Sequence, residues 1–251
     1  MSGHSKWASI KHKKGANDAK RGRIFTKLIR EITVAAKNGG GSPDTNAALR
    51  SAITRANEAN MPKDNIDKAI KKGTGELPGV VYEELAFEGY GPGGVAIIVE
   101  TLTDNKNRAS AEIRNIFSKR GGNMAGSGSV SWIFTPKGYI LVDKSQTNED
   151  DLFAISVDAG AEDVDASGNN FEVYCDPKDF ENVKKAIADK GIKWETAELT
   201  QVPNSTIKVT GSQAKQVLGL VETLEEHDDV QKVHANFDIP EELLEELAQE
   251  L

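Results

Sequence analysis

The middle of the chain contains, in order, GYILV (138–142), EDDLFAISVDA (149–159), AEDV (161–164), FEVYC (171–175), PKDFENVKKAIADK (177–190) and KWETAEL (193–199). Short apolar runs predict strands in the first, third, fourth and sixth segments, and the two longer segments predict helices. The order β-α-β-β-α-β is that of the split ferredoxin-like unit. We therefore predict a ferredoxin-like domain over residues 130–202.

The segments on either side of this unit predict a second α/β domain that the unit interrupts. Two strands and a helix precede it, with bounds near 80–89, 95–102 and 105–121. A strand, a helix and a strand follow it, with bounds near 206–209, 212–226 and 230–237, and a short acidic helix over 239–251 ends the chain. The later elements are too small to fold alone. We predict that they complete the sheet begun at Val80, in a discontinuous domain of residues 78–129 plus 203–251.

Residues 1–77 predict a small helical domain with a polar arm. The arm, residues 1–16, has too few apolar side chains to offset the entropy of ordering, so we expect it to be mobile. A helix from about Asn17 ends at Gly39-Gly40-Gly41. Ser42-Pro43-Asp44 predicts the cap of a second helix, and a third helix ends at Gly73. The predicted fold class is α+β, with an N-terminal three-helix domain followed by two α/β domains, one ferredoxin-like domain inserted into the other.

The charge of the chain is divided unevenly along its length. Up to Gly75 there are 16 Lys and Arg residues against six Asp and Glu, a local charge of +10. The whole chain has a formal net charge of −8, which leaves −18 for the remainder. A basic module on an acidic body is typical of proteins that contact nucleic acid.

The basic module contains the candidate binding residues. On the first helix, cations recur at spacings of three and four, so they can face one strand of phosphates, and Glu31 alone interrupts them. In the arm, Trp7 has two open interpretations: it stacks on bases, or it anchors the arm in a groove of its own protein. The predicted nucleic-acid-binding residues are Lys6, Trp7, Lys11, His12, Lys13, Lys14, Lys20, Arg21, Arg23, Lys27, Arg30, Arg50, Arg55, Lys71 and Lys72.

Other functional classes find little support in the sequence. The single cysteine, Cys175, excludes an intramolecular disulfide and a Cys-based zinc site, and its alternating context predicts a buried strand residue. The four histidines form no catalytic constellation or metal-ligand spacing, and the glycine-rich segment 121–128 lacks the lysine of a P-loop. We expect no enzyme activity, no cofactor and no metal. The apolar runs are too short for a membrane helix, and we expect a cytoplasmic protein.

Several motifs closely resemble the YebC family over the full length of the chain. They are GHSKW (3–7), IKHKK (10–14), DAKRGRIFTKL (18–28), GGG (39–41), NMP (60–62), Tyr82, EGYGPGG (88–94), DN (104–105) and GGN (121–123). The resemblance implies a three-domain cytoplasmic protein without enzymatic activity or cofactor. Family members are described as transcriptional regulators that bind promoter DNA. Others, including the mitochondrial translational activator of a cytochrome oxidase subunit, act on translation, and bacterial relatives are linked to ribosomes stalled on proline-rich sequences.

Two nucleic-acid functions therefore stay open at this point, and a protein–protein adaptor that uses the acidic body stays open as an added role. The first is a DNA-binding regulator of transcription, and the second is a ribosome-associated translation factor that contacts ribosomal RNA. Lysines suit phosphates better than bases, and no helix rich in base-reading Arg, Asn and Gln is evident, which makes the second at least as compatible with the residues. The expected partners are DNA or ribosomal RNA and the ribosome, and the expected state is a monomer or weak dimer.

Overall fold

The computed structural model describes residue 7 and residues 18–250 of the chain. In this part, eight α-helices and ten strands form an α+β structure, which confirms the predicted fold class. The helical domain consists of α1 (Asp18–Gly39), α2 (Ala47–Glu58) and α3 (Lys63–Gly73). Its core is built from the buried faces of the three helices and from Met61, which lies between α2 and α3: Leu28, Ile32, Ala36, Leu49, Ala52, Ala56, Met61, Ile66 and Ala69.

The start of α2 differs from the prediction. Ser42 and Pro43 belong to a turn, closed by the Thr45 amide donating to the Ser42 carbonyl, and the helix begins only at Ala47. Asn46 is the N-cap, and its side-chain oxygen accepts from the Leu49 amide at 3.1 Å. The same side chain donates to the carbonyls of Ala35 and Gly40, each at 2.8 Å. Asn46 is favoured as the cap because it satisfies orphan backbone groups of two helices at once.

The central domain is built on a four-stranded antiparallel sheet. Its strands are β1 (Glu83–Tyr90), β2 (Ala96–Thr103), β3 (Asn123–Met124) and β9 (Val230–Ala235), in the order β3-β1-β2-β9. The helices α4 (Lys106–Lys119) and α7 (Gly211–Glu225) share its main core. Val95, Ile97 and Val99 lie in that core, whereas Ala96 and Ile98 are buried in a smaller cluster, as the alternation of a strand requires.

The ferredoxin-like domain has the predicted element order. It contains β4 (Phe134–Asp143), α5 (Glu149–Asp158), β5 (Ala161–Asp165), β6 (Asn170–Cys175), α6 (Phe180–Asp189) and β7 (Thr196–Pro203). The sheet order is β5-β6-β4-β7, all antiparallel. Cys175 is buried in its core, and this burial raises the pKa of the thiol to about 11, which suits an inert core residue.

The C-terminal segment only partly follows the prediction. β9 joins the central sheet beside β2, so the sheet is completed from the far end of the chain as expected. The strand expected at 206–209 does not join it. It forms β8 (Ile207–Lys208), which pairs in parallel with β10 (Phe237–Asp238) in a separate two-stranded sheet. The last helix, α8 (Glu241–Glu250), buries Leu244 and Leu247 in the central core. The exact domain boundaries stay predictions.

A buried carboxylate on β1 organises the connection between the central and ferredoxin-like domains. Glu88 accepts hydrogen bonds from the backbone amides of Gly128, Val130 and Ser131, at 2.8, 2.7 and 2.9 Å. Burial alone raises the pKa of Glu88, but the three donors hold the pKa below its ordinary value. The ionised carboxylate therefore stabilises the folded loop.

We predict that Glu88→Gln destabilises the protein by about 2–3 kcal/mol at neutral pH, because the amide group points donors at backbone donors. The measurement is the free energy of unfolding in urea. Because the pKa of Glu88 is lowered in the folded state, the extra stability of the wild type over Glu88→Gln is complete above the unfolded pKa of about 4.3. It is lost as the pH falls through the folded pKa. Glu84→Gln, an exposed carboxylate on the same strand, is the control and should change stability by less than about 0.5 kcal/mol. Equal losses in both variants would contradict this role for Glu88.

Candidate nucleic-acid interface

The cationic stripe of α1 contacts the acidic end of α7. Arg23 forms an ion pair with Glu226 at 3.3 Å, and the Lys27 ammonium donates to the Glu225 carbonyl at 2.6 Å. These contacts join the helical domain to the central domain. Each cation is held by a residue about two hundred positions away, just where the stripe was expected to face phosphates.

Arg30 is the most deeply engaged of the three. Its guanidinium donates to the carbonyls of Leu102 and Asp228, at 3.0 and 2.8 Å, and to Asp229 Oδ1 at 2.5 Å. It also lies over the Tyr82 ring, 5.4 Å from the centroid. A first correction concerns Arg23, Lys27 and Arg30: the sequence indicates that they can face phosphates, whereas in the structure each already has a partner within the protein. Contact of these residues with nucleic acid stays a prediction. Each side chain would have to leave its partner in the protein before it could bind a phosphate.

Asp229 is the acceptor at the centre of this contact. Its side chain is only 2% exposed, and Oδ2 accepts from Arg108 at 2.9 Å and from Thr103 at 2.8 Å. Burial alone raises the pKa of Asp229, but the bonds from Arg108, Thr103 and Arg30 bring it below its ordinary value. The same carboxylate and Asp104 raise the pKa of Arg108. One buried anion thus ties α1 to the end of β2 and to α4.

Trp7 requires a second correction. The indole is 2% exposed and packs in the core of the central domain, together with residues such as Val217 and Phe237. A ring in that position cannot stack on a base. Of the two interpretations of Trp7, the structure supports the anchor.

The remaining predicted residues have different environments. Arg50 donates to the Pro43 carbonyl at 2.8 Å, Arg55 pairs with Glu31, and the exposed Arg21 lies over the Phe25 ring at 5.9 Å. Lys20 belongs to α1, but its side chain is not described. Lys6, Lys11, His12, Lys13 and Lys14 lie outside the described residues.

The open cations of the helical domain are lysines on α3 and at the end of α1. Five of them are exposed, and none forms an ion pair with a residue in the described part of the chain: Lys37, Lys63, Lys68, Lys71 and Lys72. We call this set the lysine surface. Sequence reasoning singled out Lys71 and Lys72 but gave more weight to α1. No sequence signal separated the two helices, because α3 carries Asp64 and Asp67 at ion-pair spacing from its lysines.

A cleft of about 350 Å³ lies within the lysine surface, between the helix ends and the linker that leads to β1. Lys37 and Lys72 line it from α1 and α3, and Leu77, Val80 and Val81 line it from the linker. The two helices come together here because Gly73 has no side chain. A Cβ atom on Gly73 would lie 2.4 Å from the Thr33 carbonyl oxygen.

One group of potential metal ligands comes together among the described residues. Ligand atoms of Glu112, His227 and Asp229 lie within 4.8 Å of one another. They are already engaged: His227 Nε2 lies 2.9 Å from Glu112, and His227 Nδ1 accepts from the Asp229 amide at 3.1 Å. Two guanidinium groups contact the Asp229 carboxylate. This group does not suit a cation, because its acceptors are occupied and positive charge is already present.

We predict that Asp229→Asn destabilises the protein by about 3 kcal/mol, because it leaves the buried guanidinium of Arg30 without its anion and removes one of the carboxylates that Arg108 contacts. Hydrogen exchange should also speed up in α1. Because the folded pKa is lowered, the stabilisation is present above the unfolded pKa of about 3.9 and is lost as the pH falls through the folded value. Asp228→Asn, its exposed neighbour, keeps the backbone carbonyl that Arg30 uses and serves as the control. Unchanged exchange in α1 would show that Asp229 does not hold the two domains together.

Between residues 18 and 250, no helix has the length and apolarity needed to cross a membrane.

Comparisons with known proteins relate the whole architecture to one family. A model of the TACO1/YebC N-terminal domain matches residues 5–76, and a model of the TACO1/YebC second and third domain matches residues 82–237. A protein of Dictyoglomus turgidum named "probable transcriptional regulatory protein" is 57% identical over 249 residues, 99% of this chain and 100% of its own.

A protein of the same name from Desulfatibacillum aliphaticivorans is also 57% identical, over 98% of this chain and 100% of its own. Among solved structures, the crystal structure of the conserved hypothetical protein Aq1575 from Aquifex aeolicus superposes with a TM-score of 0.80 at 46% identity, covering 89% of this chain and 92% of that one. The matches extend over nearly all of the chain, helical domain and both α/β domains included. The chain belongs to the TACO1/YebC family.

Proposed function

We propose that this protein is a non-enzymatic regulator of gene expression that binds nucleic acid through its helical domain. The relatives' names, which specify transcriptional regulation, support the regulatory part of the proposal. The observation that carries the binding part is the lysine surface, with five exposed ammonium groups and no ion pair to a described residue. Only Asp64 and Asp67 on α3 add negative charge to it.

The lysine surface suits phosphate groups. Lysine presents a compact charge without the planar fork of arginine, so it contacts phosphates well and discriminates poorly between bases. The acidic remainder of the chain repels nucleic acid, which favours approach through the helical domain. We infer binding with steep salt dependence and little sequence preference from these residues alone.

The proposed target is promoter DNA, with ribosomal RNA as the second candidate. The relatives' names support DNA. The composition of α3 supports RNA, because its exposed cations are all lysines and it presents no array of Arg, Asn and Gln to read a major groove. In the second case the protein is a translation factor on the ribosome. Both candidates use the same surface.

We predict that changing Lys68, Lys71 and Lys72 together to Ala weakens binding to duplex DNA and to RNA alike. Each lost phosphate contact should flatten the slope of log K against log salt by about 0.7–0.9, so the triple variant should lose about 2–3 units of slope. Fluorescence anisotropy over a salt series measures this. Lys178, Lys185 and Lys190, exposed on the ferredoxin-like domain, provide a charge-matched triple control. An unchanged slope in the α3 variant would exclude the lysine surface as the binding site.

The two targets are separated by ultraviolet crosslinking in living cells, followed by sequencing of the attached RNA and DNA. Fragments concentrated at promoters are expected for the transcriptional regulator. Fragments concentrated at one position of ribosomal RNA would instead establish the translation factor. The α3 triple variant is the matched control, since specific fragments should be depleted with it in either case.

A further inference from the structure

The first strand of the central sheet has a neighbour along its full length on one side only. β2 pairs with every residue of β1 from Glu83 to Tyr90, whereas β3 pairs with Gly89 and Tyr90 alone. No other strand in the described part of the chain pairs with β1. Residues 83–87 therefore form a sheet edge on the side away from β2, and an unpaired edge can accept a further strand.

The backbone groups of Glu84 and Ala86 point outwards from this edge. The Glu88 carbonyl accepts from the Ala125 amide at 2.7 Å, so it points away from β2. Backbone groups alternate in direction along a paired strand, so those of Ala86 and Glu84 share the direction of Glu88. The opposite strand agrees, because Leu102, the partner of Glu84, donates its amide at 2.8 Å to the carbonyl just before β9. In the ranges that the structure describes, the amides and carbonyls of Glu84 and Ala86 have no hydrogen-bond partner.

The edge of β1 is less protected than the edge of the ferredoxin-like sheet. β5 lies at that second edge, with a register shift and three acidic side chains among its five residues. Irregular pairing and dense charge of this kind discourage the addition of a strand. β1 pairs with β2 without a register shift and contains no proline. Past its first two residues the edge is apolar, with Ala86 exposed and with Leu85 and Phe87 half-buried.

The charge at the start of β1 selects among possible occupants of the edge. Glu83 and Glu84 are exposed, and neither forms an ion pair with a described residue. Opposite charges on neighbouring strands stabilise their pairing, and like charges destabilise it. A second copy of this chain would bring the same glutamates and another acidic body, and nucleic acid would bring phosphates. The edge therefore suits a basic segment of another protein.

We propose that residues 83–87 of β1 dock an extended, basic segment of another protein as an additional strand of the central sheet. The backbone of that segment hydrogen-bonds with the outward groups of β1, and its basic side chains lie beside the two glutamates. Val80 and Val81, directly before β1, are 53% and 63% exposed, so the edge begins beside apolar side chains. This role is separate from nucleic-acid binding and does not involve the lysines of the helical domain.

The test uses the full-length protein and a labelled, end-capped peptide in which lysine and valine alternate. The peptide is about eight residues long, within the usual range of strand lengths, and a glutamate–valine peptide of equal length is its control. Fluorescence anisotropy measures affinity. Hydrogen exchange, followed residue by residue by nuclear magnetic resonance, reports whether the amides of Glu84 and Ala86 become protected.

Two variants of β1 separate the backbone contribution from the charge contribution. Ala86→Pro removes one outward amide and leaves the bonds to β2 in place, as proline on an edge strand allows. Glu83→Gln combined with Glu84→Gln removes both charges and keeps the backbone. Glu242→Gln combined with Glu246→Gln, at exposed positions on α8, is the charge-matched control. Thermal unfolding of each variant verifies that the fold is kept.

We expect the lysine–valine peptide to bind the wild type and to slow exchange of the Glu84 and Ala86 amides, because a new backbone ladder protects them. Ala86→Pro should weaken binding about fivefold, the equivalent of about one hydrogen bond. The double variant of Glu83 and Glu84 should weaken binding about threefold or more, with the larger loss at low salt. The α8 control and the α3 triple variant should not weaken it.

Three results would overturn the docking site. Failure of the lysine–valine peptide to bind, or equal affinity of the wild type and Ala86→Pro, would exclude the edge of β1 as its site. Binding without slower exchange at Glu84 and Ala86 would mean that charge attraction alone holds the peptide. Slower exchange at these amides with rising protein concentration, in the absence of peptide, would assign the edge to a second copy of the chain. Each result leaves the proposed nucleic-acid binding intact, because the α3 triple variant tests that function separately.

Discussion

Asp229 carries a negative charge almost fully withdrawn from water, and the arrangement of the helical and central domains depends on how that charge is balanced. Arg30 reaches it from α1, Thr103 from the end of β2 and Arg108 from α4. An ion buried in this way is tolerated only with its partners in place, because an unpaired charge in the interior is costly. The first helix of the chain is thereby held against a segment near its end, and the placement of α2 and α3 follows from their packing on α1.

This contact changes how the charge difference between the basic N-terminal part and the acidic remainder of the chain is interpreted. Part of the positive charge in the first third of the chain is engaged near the end of α7: Arg23 and Arg30 pair with Glu226 and Asp229, and Lys27 donates to the Glu225 carbonyl. Cations engaged in this way do not release counterions from nucleic acid unless they first leave their partners. The lysine surface lies at the other end of α1 and on α3, so the orientation that Asp229 imposes also decides which cations face a ligand.

Glu88 has a comparable role where the ferredoxin-like domain departs from the central sheet. Its carboxylate holds the loop that precedes β4, and the same loop presents Trp132. At Asp229 and at Glu88, a buried carboxylate holds a connection between two domains in place, and side chains of a different chemical type stay exposed nearby. The helical domain exposes ammonium groups, and the loop exposes the ring of Trp132.

Local patterns were sufficient for the elements and their order. The ferredoxin-like unit, the discontinuous sheet and the buried Cys175 follow from short-range periodicity, since strands and helices expose their apolar faces at characteristic spacings. The N-cap of α2 was missed because Asn46 is favoured by a contact with Ala35 on another helix, which no local pattern records. The separate pairing of β8 with β10 was missed because two-residue strands have almost no periodicity.

Residue type and spacing, read along the chain, therefore identified the basic module, the fold class and the family resemblance. Tertiary structure alone decided which members of each residue type remain open. Arg30 and Lys37 lie on one helix, yet Arg30 meets an aspartate 199 residues away and Lys37 stays exposed. Trp7 is buried in the central core, whereas Trp132 is held in solvent. The reason is physical: burial and ion pairing depend on what the folded chain brings within a few ångströms, and those neighbours are distant in sequence.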